Sequence, residues 1–288
     1  MVFASPLVAA ERPEIGIWPE NKLPAGAKPV PAARVEQLKK ATDAERIRYV
    51  ETPSITVYQA DKKKTNGCGI VICPGGGYNI LAWPKEGLEL AEWFSSLGVT
   101  AAVLKYRVPR RDPDARHTEP LQDAQRAIRL MRHHAANWGI DVNRVGVMGF
   151  SAGGHLTVMT GTHWDKPAYE NIDAADELSC RPDFLCPIYA AYLGPDYKDN
   201  VAKLGPLVRV SKNTPPTFMA VTADDAFRGA QAALLFLELK KHKVPVELHV
   251  YASGGHGYGI RPSNNPVSTW HHRLADWLKQ QGFLKSEK

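Results

Sequence analysis

The chain has 288 residues, 44% of them hydrophobic, with charges of both signs interspersed, which excludes a disordered chain and suffices to bury a full core. Its net charge is +6 and its pI about 9.0. A basic balance can serve nucleic acid or membrane surfaces, but the densest run, Lys62-Lys63-Lys64, lies in a polar stretch without interleaved aromatics, so neither partner is expected.

Residues 1–10 are apolar and end in small residues, resembling the end of a secretory signal that lacks its positive start. That reading implies a secreted or periplasmic protein; a disordered start would leave it cytoplasmic. Residues 11–45, rich in Pro and Gly, read as an extended segment packed on the surface, with a short helix near Val35–Asp43. Residues 46–288 read as one domain. Within it, Arg46–Val50 and Ser54–Tyr58 suggest an antiparallel strand pair. Gly69–Cys73 and Val99–Leu104 are apolar runs of the kind buried on both faces of a parallel sheet. Helices are expected over Pro84–Leu97 and Leu121–Trp138. Arg144–Phe150 is a strand that leads into Ser151 and a helix from Ala152. Strands at Phe184–Tyr189, Thr217–Thr222 and Val246–Tyr251 alternate with helices at Ala230–His242 and Thr269–Gln281. Alternation of this kind demands a mostly parallel sheet covered by helices on both faces, with chemistry gathered at the carboxyl ends of the strands. No apolar stretch is long enough to span a bilayer. The four cysteines form no C-x-x-C pair, so no metal site or cofactor is expected; Cys180 and Cys186 could close a small loop or remain buried thiols.

Three motifs fall at strand ends. Gly149-Phe150-Ser151-Ala152-Gly153 is a G-x-S-x-G between a strand and a helix, the sharp turn that exposes a serine hydroxyl as a nucleophile. A glycine-rich helix start capped by serine is the alternative. Pro74-Gly75-Gly76-Gly77-Tyr78 follows the earlier strand, and its glycines can turn their amides outward. With Ala152 N–H, the Gly76 and Gly77 N–H groups are the expected donors to a tetrahedral oxyanion. No G-K-[ST] follows, which excludes a phosphate loop. Gly254-Gly255-His256-Gly257 places a histidine late in the chain, as the order Ser…Asp…His requires of a general base. The remaining member must lie between them, and Asp224 and Asp225, after the strand ending at Thr222, both qualify. The pairs His133-His134 and His271-His272, His155, Asp123 and Asp183 read as structural.

Taken together, Pro74–Tyr78, Gly149–His155, Thr222–Arg228 and Gly254–Gly257 resemble the α/β-hydrolase esterases grouped with acetylxylan esterases and the hormone-sensitive-lipase-like branch, over roughly residues 45–285. The resemblance implies an α/β-hydrolase fold with an eight-stranded type of sheet and a Ser-His-Asp triad acting through an acyl-enzyme. It favours Asp225, because Asp225-Ala226-Phe227-Arg228 matches that branch's Asp-Pro-Leu-Arg-like run without the proline. It assigns the oxyanion hole to Gly76 and Gly77, with Pro74 where the branch usually has histidine. The moderately long, polar stretch before Asp225 holds no greasy lid, so no large cap domain is expected. An uncapped site admits bulky polar substrates, a small-molecule or polysaccharide ester, and the expected reaction is deacetylation of acetylxylan-type carbohydrate. Tyr78, Trp83, Trp164 and Trp270 are candidate stacking faces at the mouth. A general short-chain carboxylesterase is the alternative. A peptidase of the prolyl-oligopeptidase kind ranks lower because no propeller repeat is present, and a non-catalytic scaffold is disfavoured by the intact motifs. Oligomeric state is not legible.

Overall fold

The computed structural model describes residues 12–284, apart from 26–27, 42, 62, 199–201 and 226. The apolar run at 1–10 therefore lies outside the described residues, as do Lys62 of the basic run and Ala226 of the aspartate run. The strands are β1 (Glu14–Gly16), β2 (Ser54–Tyr58), β3 (Gly67–Cys73), β4 (Thr100–Lys105), β5 (Ile140–Phe150), β6 (Leu185–Ile188), β7 (Thr217–Thr222) and β8 (Val246–Tyr251). They form one sheet in the order β1-β2-β4-β3-β5-β6-β7-β8. From β4 to β8 every pairing is parallel, and β2 runs antiparallel to both β1 and β4. The helices are α1 (Ala32–Lys40), α2 (Glu89–Ser96), α3 (Thr118–His133), α4 (Ala135–Trp138), α5 (Ala152–Thr162), α6 (Arg228–Lys241) and α7 (Trp270–Gln280). This is the α/β-hydrolase architecture.

The central strands are buried on both faces because helices cover both. One apolar layer holds α3 and α5 against Val71, Val145 and Val147, and the other holds α2 and α7 against Ile70, Met148 and Phe218. Between β6 and β7 the described residues contain a single 3-10 turn, Pro195–Tyr197, and no cap is built there.

The expected pairing of Arg46–Val50 with β2 is replaced by another. Residues 46–50 make only isolated bridges, Ile47 to Leu81 and Val50 to Val108. The outer edge of β2 is taken by β1, from the segment read as a surface wrap. That segment is built into the core instead. Ile17 and Trp18 are buried, and the Trp18 indole N–H donates to Asp123 Oδ1 at 2.9 Å. The helix expected over Pro84–Leu97 begins with a wide π turn, Pro84–Leu88, before α2.

Candidate active site

Ser151 sits between β5 and α5 with φ 53° and ψ −114°. This left-handed strain is held by hydrogen bonds on both sides. Its N–H donates to Ile188 O at 3.1 Å, and its own carbonyl accepts from His155 N and Ala191 N, each at 3.0 Å. The turn is possible because α5 leaves the sheet almost in contact with β3. A Cβ on Gly153 would lie 2.0 Å from Cys73 O, so only glycine fits there.

His256 lies in the loop after β8 and is exposed. Its Nε2 is 2.8 Å from Ser151 Oγ, and its Nδ1 is 2.6 Å from Asp225 Oδ2. Asp225 is buried, with Arg228 Nε at 3.6 Å from its other oxygen. The structure thus brings Ser151, His256 and Asp225 into one hydrogen-bonded chain. Asp224 points elsewhere. Its carboxylate accepts from Gly255 N at 2.9 Å and Gly254 N at 3.1 Å, and these amides hold it below the usual carboxylate range. It braces the histidine loop and leaves the imidazole to its neighbour.

The Pro74–Tyr78 loop packs against the serine, since a Cβ on Gly75 would lie 3.0 Å from Ser151 Cβ. Gly76 adopts φ 132° with Ile80 O only 2.2 Å from its would-be Cβ. No backbone hydrogen bond among the described residues takes up the Gly76 or Gly77 amide. The Ala152 amide is the first of α5 and has no acceptor within its helix. Ala152 directly follows the serine, and Gly76 and Gly77 follow Gly75, the glycine that packs on Ser151.

A buried carboxylate that the sequence did not reveal ties this loop to the histidine loop. The π turn carries Glu86 beneath the site, where Oε2 accepts from Gly75 N and Oε1 from Tyr189 OH, both at 2.8 Å. Tyr189 OH in turn accepts from Gly259 N at 3.3 Å, and the Tyr189 ring stands edge-on to His256 with centroids 4.9 Å apart. Burial raises the Glu86 carboxyl above its ordinary value, against the opposing pull of Tyr189 OH, Gly75 N and His256. A π turn is often found at functional sites, but its register is not written in local propensity.

Three of the four candidate stacking aromatics are placed away from the mouth. Tyr78 and Trp270 are fully buried, with Tyr78 OH on His155 Nδ1 and the Trp270 indole donating to Gly259 O. Trp164 follows the far end of α5, roughly 16 Å or more from Ser151 by helix rise, under the Arg181 guanidinium. Trp83 is half-buried with Lys105 Nζ 5.2 Å above its ring. Core packing claims large aromatics before a binding surface can. Tyrosines near the site include Tyr189 and Tyr192, in the loop after β6, and Tyr258, two residues past His256 and packed on Tyr189. All four cysteines are free and buried, so Cys180 and Cys186 close no loop. Among the described residues no group of three or more His, Cys, Asp or Glu is placed to hold a metal ion.

Residues 55–181 match the BD-FAE family, and residues 187–282 match the prolyl oligopeptidase family. The solved acetyl ester-xyloside bifunctional hydrolase of Caldicellulosiruptor lactoaceticus is 33% identical, with a TM-score of 0.75 over 97% of this chain and 100% of that one. The chain belongs to the α/β-hydrolase esterases. Among curated proteins this esterase is 31% identical to the endo-1,4-beta-xylanase B of Butyrivibrio fibrisolvens, over 74% of its own length and 35% of the relative. It is 29% identical to the acetylxylan esterase of Xylanibacter ruminicola, over 74% of its own length and 46% of the relative. The chain thus spans less than half of these two relatives. An esterase of Thermogutta terrifontis, 24% identical with a TM-score of 0.68, shares the fold.

Proposed function

We propose that this esterase is a serine carboxylic ester hydrolase that removes acetyl groups from xylan-type carbohydrate. The hydrogen-bonded chain from Ser151 Oγ through His256 to the buried Asp225 carries the reading. In the first half-reaction Ser151 Oγ bonds to the ester carbonyl carbon, His256 Nε2 takes the hydroxyl proton, and the carbonyl electron pair moves onto oxygen. The Gly76, Gly77 and Ala152 amides would stabilise that oxyanion, each such donor being worth roughly 10²–10³ in rate. When the tetrahedral intermediate collapses, the alkoxide leaves with the proton from His256, and the acetyl group stays on Ser151. Water, deprotonated by His256, then releases acetate by the same steps. Asp225 fixes the tautomer and stabilises the imidazolium at each stage.

The substrate side rests on the open strand-end site and on relatives described as acting on acetylated xylan or xylosides. A polymeric substrate would place the enzyme outside the cytoplasm, as residues 1–10 suggest. No helix among the described residues is long and apolar enough to cross a membrane. A panel of p-nitrophenyl acetate, butyrate and octanoate beside acetylated xylan tests the reading. A fitted long pocket would gain up to about 0.8 kcal/mol per methylene; a shallow one gains little and then misplaces the carbonyl. We expect kcat/KM to favour acetate, with acetate released from xylan. A monotonic rise to octanoate would exclude the acetyl-esterase assignment in favour of a general carboxylesterase. Peptide hydrolysis is a second reading, favoured by the prolyl oligopeptidase match, and a proline-containing anilide in the panel separates it.

A further inference from the structure

Beside the nucleophile turn lies a cavity of about 430 Å³ whose walls include Asp114, Arg116, His155, Tyr192, Asp196 and Tyr197. It adjoins the site. His155 is one turn along α5 from Ser151, Ala191 N is bonded to Ser151 O, and Tyr192 OH lies 3.4 Å from where a Gly77 Cβ would stand. The Tyr192 ring therefore stands between the oxyanion loop and the cavity.

The walls are mixed: Pro113, Leu193, Pro206, Leu207 and Val208 line the cavity beside the polar groups. The Arg116 guanidinium sits 5.2 Å from the ring centres of both Tyr192 and Tyr197. His155 is almost wholly buried, and its Nδ1 is 2.8 Å from Tyr78 OH. The Tyr78 hydroxyl has no other partner among the described residues, so it donates to Nδ1, and the ring proton stays on Nε2. Burial, with His117, His163 and Arg116 nearby, holds His155 well below its ordinary pKa and therefore neutral. Nε2–H has no acceptor among the described residues and remains a neutral donor for whatever fills the cavity. Tyr197 OH is oriented by His117 Nδ1 at 2.7 Å. Tyr192, Asp196 and Tyr197 all hold left-handed φ, at 60°, 53° and 56°. Strain of this kind collects at ligand-binding loops.

These features select a ligand. Two carboxylates beside one guanidinium disfavour an anion, and charged groups set among Leu207 and Val208 disfavour a purely aliphatic chain while suiting a ligand with both hydroxyls and C–H faces. Carboxylates accept from hydroxyls, the guanidinium and imidazole N–H donate to them, and tyrosine faces suit the C–H face of a pyranose. The volume falls in the range of small-ligand pockets and far exceeds an acetyl group. We propose that this cavity is the subsite for the neutral sugar ring on the alcohol side of the scissile ester, a xylo-oligosaccharide unit. This rests on the deacetylase reading above, and it adds which residues meet the sugar.

The test compares kcat/KM for acetylated xylo-oligosaccharides with that for p-nitrophenyl acetate, whose leaving group carries no sugar hydroxyls. In Arg116→Ala the ratio of the two should fall tenfold or more, chiefly through KM. Asp196→Asn, an exposed substitution that tolerates the left-handed backbone, should lower it severalfold and guards against misfolding of the first variant. Binding of unacetylated xylotriose to Ser151→Ala, followed by calorimetry, reads the subsite without hydrolysis and should weaken at least tenfold when Arg116→Ala is added. Arg116-dependent binding without deacetylation would keep the subsite and overturn the deacetylase reading. Deacetylation with ratios unmoved in both variants, or no xylotriose binding, would overturn the subsite.

Discussion

Ser151 is held at φ 53° and ψ −114°, a conformation that only glycine adopts without cost. The same strain that lifts Oγ out of the turn is thus drawn from the stability of the fold. Ser151→Gly should be inactive and more stable than wild type by about 1 kcal/mol in urea unfolding. Ser151→Ala should be equally inactive, losing roughly 10⁴–10⁶ in kcat, with no such gain in stability. The two aspartates divide their work with equal clarity. Asp225→Asn should lower kcat by up to ~10⁴, because an amide opposite Nδ1 favours the wrong tautomer. Asp224→Asn should cost far less: its single oxygen keeps one of the Gly254 and Gly255 amide bonds and loses the other, which loosens the histidine loop without touching the imidazole's partner. Steady-state kinetics on both variants check the order, and a reversal would move the triad carboxylate to Asp224. At this scale the sequence was informative where a residue's role is set by its neighbours in the chain. Ser151 and His256 stand in glycine-rich loops at strand ends, whereas Glu86 reaches the site through a π turn and two long-range hydrogen bonds with no local signal.

Among the elements, α3 shows how a polar helix is locked against the sheet. Arg126, Arg129 and Arg132 repeat at helical spacing and are all buried. They meet Asp173, Asp176 and Asp183 in the segment between α5 and β6. Asp176 is the hub, accepting from Tyr169 OH at 2.6 Å and Ile172 N at 2.9 Å beside two guanidinium groups. Burial pushes its carboxyl up, but Tyr169 OH, Arg126 and the Ile172 amide outweigh it and hold the group below its ordinary 3.8. The charged form is thus favoured by folding; its contribution is full above that value and fades as pH falls through the depressed one. Asp176→Asn should cost about 3 kcal/mol at pH 7, since it leaves buried Arg129 without a carboxylate and Arg126 with Asp173 alone. The gap to wild type in denaturant unfolding should narrow below about pH 3.8. The sequence made β7 and β8 legible to the residue, because β7 is a near-continuous apolar run, β8 alternates apolar with polar residues, and both are bounded by turns. It misplaced Arg46–Val50 because a sheet edge is assigned by competition between distant segments. The three-residue β1 that takes that edge is too short to show any periodicity.

For the molecule as a whole, the N-terminal segment is part of the fold. Trp18 fills a site against Tyr169, its indole is bonded to Asp123, and Ile17 O accepts from Arg126 Nε. Trp18→Ala should therefore destabilise by about 3–5 kcal/mol, as a buried tryptophan does. A shift of that size in the urea midpoint, with unchanged slope, is the expected result, and a shift near zero would show the segment to be dispensable. The buried cysteines have a consequence of another kind. Cys68 and Cys73 lie in β3, Cys186 in β6, and none is exposed. Burial pushes Cys68 up to about 12 and raises Cys73, Cys180 and Cys186 as well. A thiol reagent therefore finds no thiolate in the closed protein, and modification of the strand thiols must wait for the central sheet to open. The chain carries its own clock for that event. Labelling of Cys68, Cys73 and Cys186, read by intact mass, should advance together at the rate of global opening, while Cys180, outside the strands, reports on its own loop. A strand thiol that reacts well ahead of the other two would reveal a sheet that opens in parts.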